Sequence, residues 1–344
     1  EASLKTFFIS GAGGSIGSEI TRQLLAANPR KIILYEFSEF NLFQIERECL
    51  SIIDSKGLDT LIIPILGDIR DINNLNNVFN RFQIDHIYHA AAYKHVPLVE
   101  DENNLAIAAE NNILGTYNLA QIAVKHKVDS FVMISTDKAV RPTNIMGATK
   151  RFAEIIIQSI NASADKTRFC MVRFGNVINS SGSVIPLFLD QISQGGPVTV
   201  TDKDVMRYFM TIPEASSLVL QAGEMSTGGE VFILDMGEQI KIYDLAKKLI
   251  HLSGRNYLQE EEKGDDGIQI LEVGLRPGEK MYEELLISGS EIKTDNPKIF
   301  KANESYIQLD LLQPILTKIE ESIRNFDNKK ILSILTENVE GFER

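Results

Sequence analysis

Gly11-Ala12-Gly13-Gly14-Ser15-Ile16-Gly17 follows the apolar run Lys5–Ser10 and opens the helical pattern Ser15–Ala27. Glycine lets a backbone turn tightly and come close to a pyrophosphate, whose charge is favoured at a helix N-terminus. The spacing is Gly11-x-x-Gly14-x-x-Gly17 rather than the commoner G-x-G-x-x-G. Strand, glycine turn and helix in that order predict a dinucleotide site containing Gly11, Gly14, Ser15, Ile16 and Gly17. Glu36 ends the second strand-like run, about 20 residues after the last glycine. A carboxylate there accepts both ribose hydroxyls of NAD and repels a 2′-phosphate, so NAD is the expected cofactor. Asp68 and Ile69, after the third run, extend this site. Asp68 suits an adenine contact or a helix cap equally well.

Working outward, short β-branched runs alternate with longer helical patterns. Lys5–Ser10, Lys31–Glu36, Leu61–Leu66, His86–Ala90 and Phe131–Ser135 read as strands, with Phe169–Phe174 and Glu230–Leu234 as later members. Ser15–Ala27, Glu39–Ser55, Ile72–Phe82, Asn103–Lys127 and Asn144–Ala164 read as helices. The alternation predicts an α/β fold: a doubly wound parallel sheet of Rossmann type, with a smaller C-terminal α/β lobe for substrate. Residues 1–176 form the expected nucleotide domain, rejoined by about residues 212–236. Residues 177–211 and 237–344 form the expected second lobe and C-terminal helices. In that half, Val184–Gln194, Pro213–Met225 and Ile242–Leu252 are helical, Val198–Thr201 is a short strand, and charged Gln259–Gly267 is a mobile surface loop.

Composition narrows the function classes. The 344 residues carry 35 Lys+Arg against 47 Asp+Glu, a net charge of −12, with no basic stripe, which argues against nucleic acid as a partner. Cys49 and Cys170 cannot form a disulfide framework and read as small core residues of a reducing compartment. No apolar run approaches the ~18 residues of a membrane span, so no direct membrane contact is expected. His86, His89, His95, His126 and His251 lack metal-ligand spacing, and no metal is expected. Walker, G-x-S-x-G and H-E-x-x-H motifs are absent. The chain begins at Glu1 rather than Met, which reads as a processed or truncated piece.

Further motifs carry a resemblance. His89-Ala90-Ala91-Ala92-Tyr93-Lys94-His95-Val96 follows the fourth strand, Ser135-Thr136-Asp137-Lys138 ends the fifth, and Asn144-Ile145-Met146-Gly147-Ala148-Thr149-Lys150 opens the next helix. Arg173-Phe174-Gly175-Asn176-Val177 and Gly274-Leu275-Arg276-Pro277-Gly278-Glu279-Lys280 come later. Together they resemble the extended short-chain dehydrogenase/reductases that act on nucleotide sugars, above all the UDP-N-acetylglucosamine 4,6-dehydratases of bacterial glycan and polysaccharide biosynthesis.

That family implies tightly bound NAD, with Ala90 and Ala91 beside it, and a Thr–Tyr–Lys triad with Tyr and Lys spaced Y-x-x-x-K. Here Thr136 and Lys150 fit, but Met146 stands at the tyrosine position, and methionine cannot exchange a proton. Asp137 or Thr136, directly or through water, is then the candidate to deprotonate the 4-hydroxyl. By the same resemblance Asp137 is the acid for the departing 6-hydroxyl and Lys138 the base at C5. This requires a partly protonated carboxyl and a partly neutral lysine, through burial or neighbouring Lys150. Lys94, Asn176, Arg207, Arg276 and Glu279 are implied substrate contacts, the arginines gripping a diphosphate. Asn112 matches a helix-kink asparagine. The Gly-Ala-Gly-Gly opening and Met146 resemble a longer, membrane-anchored, C5-retaining branch. The resemblance therefore implies a homo-oligomer on the cytoplasmic face of the inner membrane, with these residues as the catalytic unit. A UDP-sugar C4 epimerase or reductase, and a non-catalytic NAD-binding protein, are the competing readings.

Overall fold

A computed structural model describes residues 2–180, 182–258, 267–285 and 291–343. The first half is laid down as β1 (Thr6–Ser10), α1 (Ser15–Leu25), β2 (Lys31–Glu36), α2 (Glu39–Lys56), β3 (Leu61–Leu66), α3 (Ile72–Arg81) and β4 (His86–His89). Strands β1 and β2 are apolar and buried on both faces, as parallel strands covered by helices must be. The helices start where polar side chains cap them. Ser38 Oγ accepts the Asn41 N–H ahead of α2, and Asp71 accepts those of Asn73 and Asn74 ahead of α3. Asp71, not Asp68, is therefore the cap.

After β4 come α4 (Val96–Val99), α5 (Glu102–Ala109) and α6 (Thr116–Lys125). The single helix expected over Asn103–Lys127 is interrupted by a π-helical turn, Glu110–Gly115. Asn112 sits in that turn. Its side chain receives the Tyr93 N–H (2.8 Å) and donates to Tyr93 O (3.0 Å) and Thr149 Oγ1 (3.1 Å). The widened turn thus lets one side chain hold the loop after β4 against the next long helix.

The chain continues through β5 (Ser130–Ile134), α7 (Ile145–Ser163), β6 (Arg168–Arg173), β7 (Asn176–Val177), α8 (Val184–Ser193), β8 (Val198–Val200), β9 (Met206–Arg207), β10 (Phe209–Met210), α9 (Ile212–Met225) and β11 (Val231–Leu234). It ends with β12 (Ile240–Lys241), α10 (Ile242–Leu252), β13 (Asn256–Leu258), β14 (Gly267–Glu272), β15 (Ile292–Lys293), β16 (Ile299–Ala302), α11 (Leu309–Arg324) and α12 (Asn328–Asn338). The large sheet has the order β15-β16-β11-β6-β5-β4-β1-β2-β3. Its strands are parallel from β3 to β11, while β16 and β15 run antiparallel. Strand order reverses between β1 and β4, and in open α/β sheets ligands bind at the carboxyl ends of the strands flanking such a point.

A smaller core, with Phe188, Ile192, Val198, Val200, Ile250 and Ile270, is built by α8, β8, α10 and β14. The C-terminal chain does not stay with this lobe. Strand β16 pairs with β11, and Leu312, Leu316, Ile319, Ile331 and Leu335 of α11 and α12 join the core beneath α5 and α7. The free edge of β11 and the apolar stripes of both helices draw residues 292–343 back to the nucleotide side. Residues 259–266 of the expected charged loop lie outside the described residues, and Gly267 already belongs to β14.

One buried charged cluster fastens this return. Arg173, at the end of β6, is fully buried and pairs with Glu154 of α7 through Nε (2.8 Å) and Nη2 (2.6 Å). Its Nη1 reaches Glu304 Oε1 at 2.5 Å, and Arg151 bridges the same two glutamates. Burial alone would raise the Glu154 carboxyl, but Arg173, Arg151 and Ser135 overcome it and hold the group down to about 2. Removing one member strands a buried charge, so Arg173→Met should destabilise the protein by about 3–5 kcal/mol in urea unfolding at pH 7. A loss below ~1 kcal/mol would show that the cluster is not an anchor.

Candidate active site

The glycine turn leaves β1 at the switch point. Gly11 has φ 66°, and a Cβ there would stand 2.8 Å from Ala91 N. A Cβ on Gly17 would stand 2.1 Å from Gly11 O, so the turn, the first coil of α1 and the loop after β4 close on one another. Gly11, Gly14, Glu36, Asp68, Ile69, Ala90 and Ala91 line one cleft there, joined by Tyr35, Phe37, Tyr93 and Asn111. Ser15 opens α1, and Ile16 packs beneath it into the core. Glu36 Oε2 accepts the Gly13 N–H (2.9 Å) and Oε1 the Ser38 N–H (3.0 Å). The carboxylate thereby braces the glycine turn while facing the cleft. Asp68 is gripped by Arg70, whose Nε and Nη2 lie 2.9 and 2.5 Å from Oδ2. Burial opposes ionisation of Asp68, yet the Arg70 hydrogen bonds hold its carboxyl below the usual range. Backbone room, an acidic strand end and apolar floor residues fit an adenine dinucleotide with a free 2′-hydroxyl.

The second cluster lies at the end of β5. Thr136 Oγ1 donates to Asp137 Oδ1 (2.9 Å), and Lys138 Nζ donates to the same oxygen (3.0 Å) and to Asn176 Oδ1 (3.3 Å). Asp137 is 1% exposed, and its Oδ2 is buried without a hydrogen-bond partner. Burial pulls the Lys138 ammonium down, but the Asp137 and Glu283 carboxylates outweigh it and hold the group above its ordinary value. This corrects the expectation of a partly neutral lysine: in the resting site Lys138 is an ammonium between carboxylates. Lys150 is the depressed one. Burial pushes it down to about 8 against the opposing charge of Glu154, and its Nζ donates to Ile134 O at 2.7 Å. Met146, one turn earlier on α7, is buried in the core.

The third cluster closes the cleft from the smaller lobe. Arg207 on β9 is 6% exposed. Its Nη2 lies 3.1 Å from Glu279 Oε1, its Nε 3.7 Å from Glu283 Oε1, and its Nη1 donates to Met206 O and Met281 O. Glu279 also accepts from Thr201 Oγ1 and from the Arg276 N–H. A carboxylate thus occupies the guanidinium where an anionic ligand was expected. The Arg276 side chain and Lys94 are exposed, and among the described residues no hydrogen bond or ion pair ties either to the Thr136–Lys138 turn. The sequence reading stopped at Lys280 and missed Glu283, which is 4% exposed, lies 3.6 Å from Lys138 Nζ and has a buried, unpartnered Oε2. The signal was present in Met281-Tyr282-Glu283-Glu284, one helical step beyond Glu279. Among the described residues no group of His, Cys, Asp and Glu could hold a metal ion.

Residues 7–304 match the family described as polysaccharide biosynthesis protein. The chain belongs to this family. It is 50% identical over 339 residues to the capsular polysaccharide biosynthesis protein CapD of Staphylococcus aureus, covering 97% of this chain and 53% of that protein. It therefore spans about half the length of that relative. It is 32% identical over 294 residues to the UDP-glucose 4-epimerase of Rickettsia canadensis, covering 85% of this chain and 80% of that protein. The X-ray structure of Pen from Bacillus thuringiensis superposes with a TM-score of 0.77 at 35% identity, covering 90% and 92% of the two chains. DesIV of Streptomyces venezuelae, a dTDP-glucose 4,6-dehydratase solved with NAD bound, superposes with a TM-score of 0.64 at 22% identity over 81% of this chain and 87% of that one. The Rossmann-type sheet superposes on those of the two solved structures. No helix among the described residues is long and apolar enough to cross a membrane.

The double duty of Glu36 yields a test of the nucleotide end. Glu36→Ser removes the charge that opposes a 2′-phosphate but also frees the Gly13 N–H. In calorimetric titrations it should weaken NAD binding by about 10-fold, the scale of one charge-assisted hydrogen bond, while narrowing the preference over NADP. An unchanged NAD to NADP ratio would remove Glu36 from the specificity role.

Proposed function

We propose that this chain dehydrates UDP-N-acetylglucosamine to a UDP-4-keto-6-deoxy-N-acetylhexosamine, with NAD resident in the cleft after β1. The observation that carries the reading is the buried Asp137–Lys138 pair beside Asn176, in the turn ahead of an α7 that offers Met146 where a phenol would otherwise serve as the base. When bound, NAD supplies an acceptor for the hydride of C4 and returns that hydride to C6.

The residues handle the protons. Thr136 Oγ passes the 4-hydroxyl proton to Asp137 Oδ1, to which it is already bonded, leaving a ketone at C4. The ketone acidifies C5–H. Lys138, as the free amine, takes the C5 proton, the electron pair forms C5=C6, and the C6–O bond breaks. Asp137 gives the proton it received to the leaving oxygen, which departs as water. Once C6 is reduced, Lys138 returns a proton to C5, on the face that retains its configuration. Lys150 would hold the nicotinamide ribose, and its depressed affinity suits a group that shares protons near neutral pH. Arg207 and Arg276 would take the diphosphate, displacing Glu279, with Asn176 and Lys94 toward the sugar. The chain would act at the cytoplasmic side of a membrane, as a homo-oligomer. A UDP-sugar C4 epimerase is the second reading, favoured by the Rickettsia relative and opposed by the buried Asp137–Lys138 pair, which a reaction without elimination does not need.

Incubation with UDP-N-acetylglucosamine alone separates these readings. Mass spectrometry should register the loss of one water, and NMR in deuterated water should show deuterium at C5 of the product. A 4-epimer of unchanged mass would support the second reading, and no reaction would support a non-catalytic NAD-binding protein. Lys138→Ala should reduce 4-keto product at least ~10³-fold, the scale of a lost general base, while UDP still binds. Turnover by that variant at the wild-type rate would refute the base assignment.

A further inference from the structure

The arrangement above leaves one proton unaccounted for. Lys138 rests as an ammonium, yet it must be an amine before C5–H can break. Asp137 cannot take the Lys138 proton, because in the proposed reaction it already holds the one from the 4-hydroxyl. The groups facing Lys138 are Asp137 from its own turn, Asn176 from β7, Arg207 from β9 and Glu283 from the segment after Gly278. Of these, Glu283, ion-paired to both Lys138 and Arg207, is the carboxylate to which the proposed reaction gives no other proton.

We propose that Glu283 is a positioning residue that stores the Lys138 proton during elimination and returns it afterwards. The inference rests on the dehydratase reading for its role in turnover, and on the geometry for its existence. Glu283 is buried between the lysine and the arginine, with Oε1 3.6 Å from Lys138 Nζ and 3.7 Å from Arg207 Nε. Its Oε2 is buried with no partner, and an orphaned buried carboxylate oxygen is costly unless it gains a proton or a ligand group. Its backbone is fixed, since Glu283 O accepts from Gln239 Nε2 at 2.7 Å. The flanking Lys280 and Glu284 tie the segment to Val140 O and Arg141 on the catalytic turn.

The proton ledger then closes without an outside donor. The cycle starts with Lys138 as the ammonium, ion-paired to Asp137 and Glu283. The 4-hydroxyl proton goes to Asp137, and the ammonium proton moves from Lys138 to Glu283. Lys138 takes the C5 proton while Asp137 releases its own to the departing water. After C6 is reduced, Lys138 gives a proton to C5 and recovers the stored one from Glu283. Substrate loses one water and all three groups return to their starting states.

The test uses Glu283→Gln, which keeps the shape and cannot accept a proton. The pH dependence of Lys138 acylation by acetic anhydride, read by peptide mass spectrometry, reports the ammonium without turnover. Loss of a facing carboxylate lowers proton affinity, so the midpoint should fall by about 1 pH unit relative to wild type. Glu283→Asp should return it partway. Product formation should fall at least ~10²-fold in Glu283→Gln, with UDP affinity changed less than ~3-fold, a loss in kcat rather than KM. An unmoved midpoint, or wild-type kcat in Glu283→Gln, would overturn the proposal. Should Glu283→Gln not fold, Glu283→Ala carries the same test, and an unshifted midpoint in it overturns the proposal equally. If the wild type does not dehydrate UDP-N-acetylglucosamine, the dehydratase reading falls, while the acylation midpoint still decides whether Glu283 governs Lys138.

Discussion

A guanidinium with no access to water must be paired, and in this molecule the pairing of Arg173 sets the geometry of everything around the catalytic turn. Glu154 is its main partner, so α7 is fixed in rotation and height against β6. Ser135 donates to the same Glu154 at 2.6 Å, which fixes the end of β5 one residue before Thr136. Glu304 completes the shell from the chain beyond β16. Four separate parts of the sequence therefore meet at one ion cluster, and none can shift without stranding a charge. Such clusters rarely add net stability over an apolar core of the same shape, because desolvation consumes most of the attraction. What this one supplies is position: Lys150 follows Met146 by one turn on the same α7 that Arg173 holds.

The charge balance follows the same logic at a larger scale. The chain carries a net charge of −12, yet its cleft collects Lys138, Lys150, Arg207 and the N-terminus of α1. Two of these cations are already satisfied by carboxylates, Lys138 by Asp137 and Glu283, and Arg207 by Glu279 and Glu283. An anionic ligand entering such a site exchanges partners rather than meeting a bare positive surface. Pairing keeps these buried cations from standing alone, and it would make recognition of an anionic ligand depend on moving specific glutamates.

What could be read from the sequence was what is local. The glycine turn, Glu36 at a strand end, the Thr136-Asp137-Lys138 run and the four-residue step from Met146 to Lys150 each sit within one strand–loop–helix unit, where spacing dictates geometry. The interruption at Glu110–Gly115 was not legible as a π-turn, because its cause is a contact of Asn112 with Tyr93, 19 residues away. The return of residues 292–343 to the large sheet was missed for a similar reason. An antiparallel edge strand and two amphipathic helices carry no mark of which lobe they will cover. Glu283 was the costliest omission. A Glu-Glu pair at the end of a charged motif reads as solvated surface, and only the fold buries one of the two beside Lys138.

Methionine at position 146 shows why these long-range contacts matter to chemistry. A phenol held beside Lys150 would couple the 4-hydroxyl proton to that lysine directly. Without it, Lys150 donates to Ile134 O, with Glu154 the carboxylate whose charge acts on it. In the proposed dehydration the connected path is Thr136 to Asp137, the group that would also protonate the leaving oxygen. On that reading, methionine at 146 does more than leave out a base; it would put two proton transfers on one carboxyl. One carboxyl could carry both only if the neighbouring lysine discharged its own proton elsewhere, which would place the burden on a buried carboxylate within reach of Lys138. Met146 and the buried Glu283 would then be two halves of one arrangement, separated by more than 130 residues of sequence and joined only by the fold.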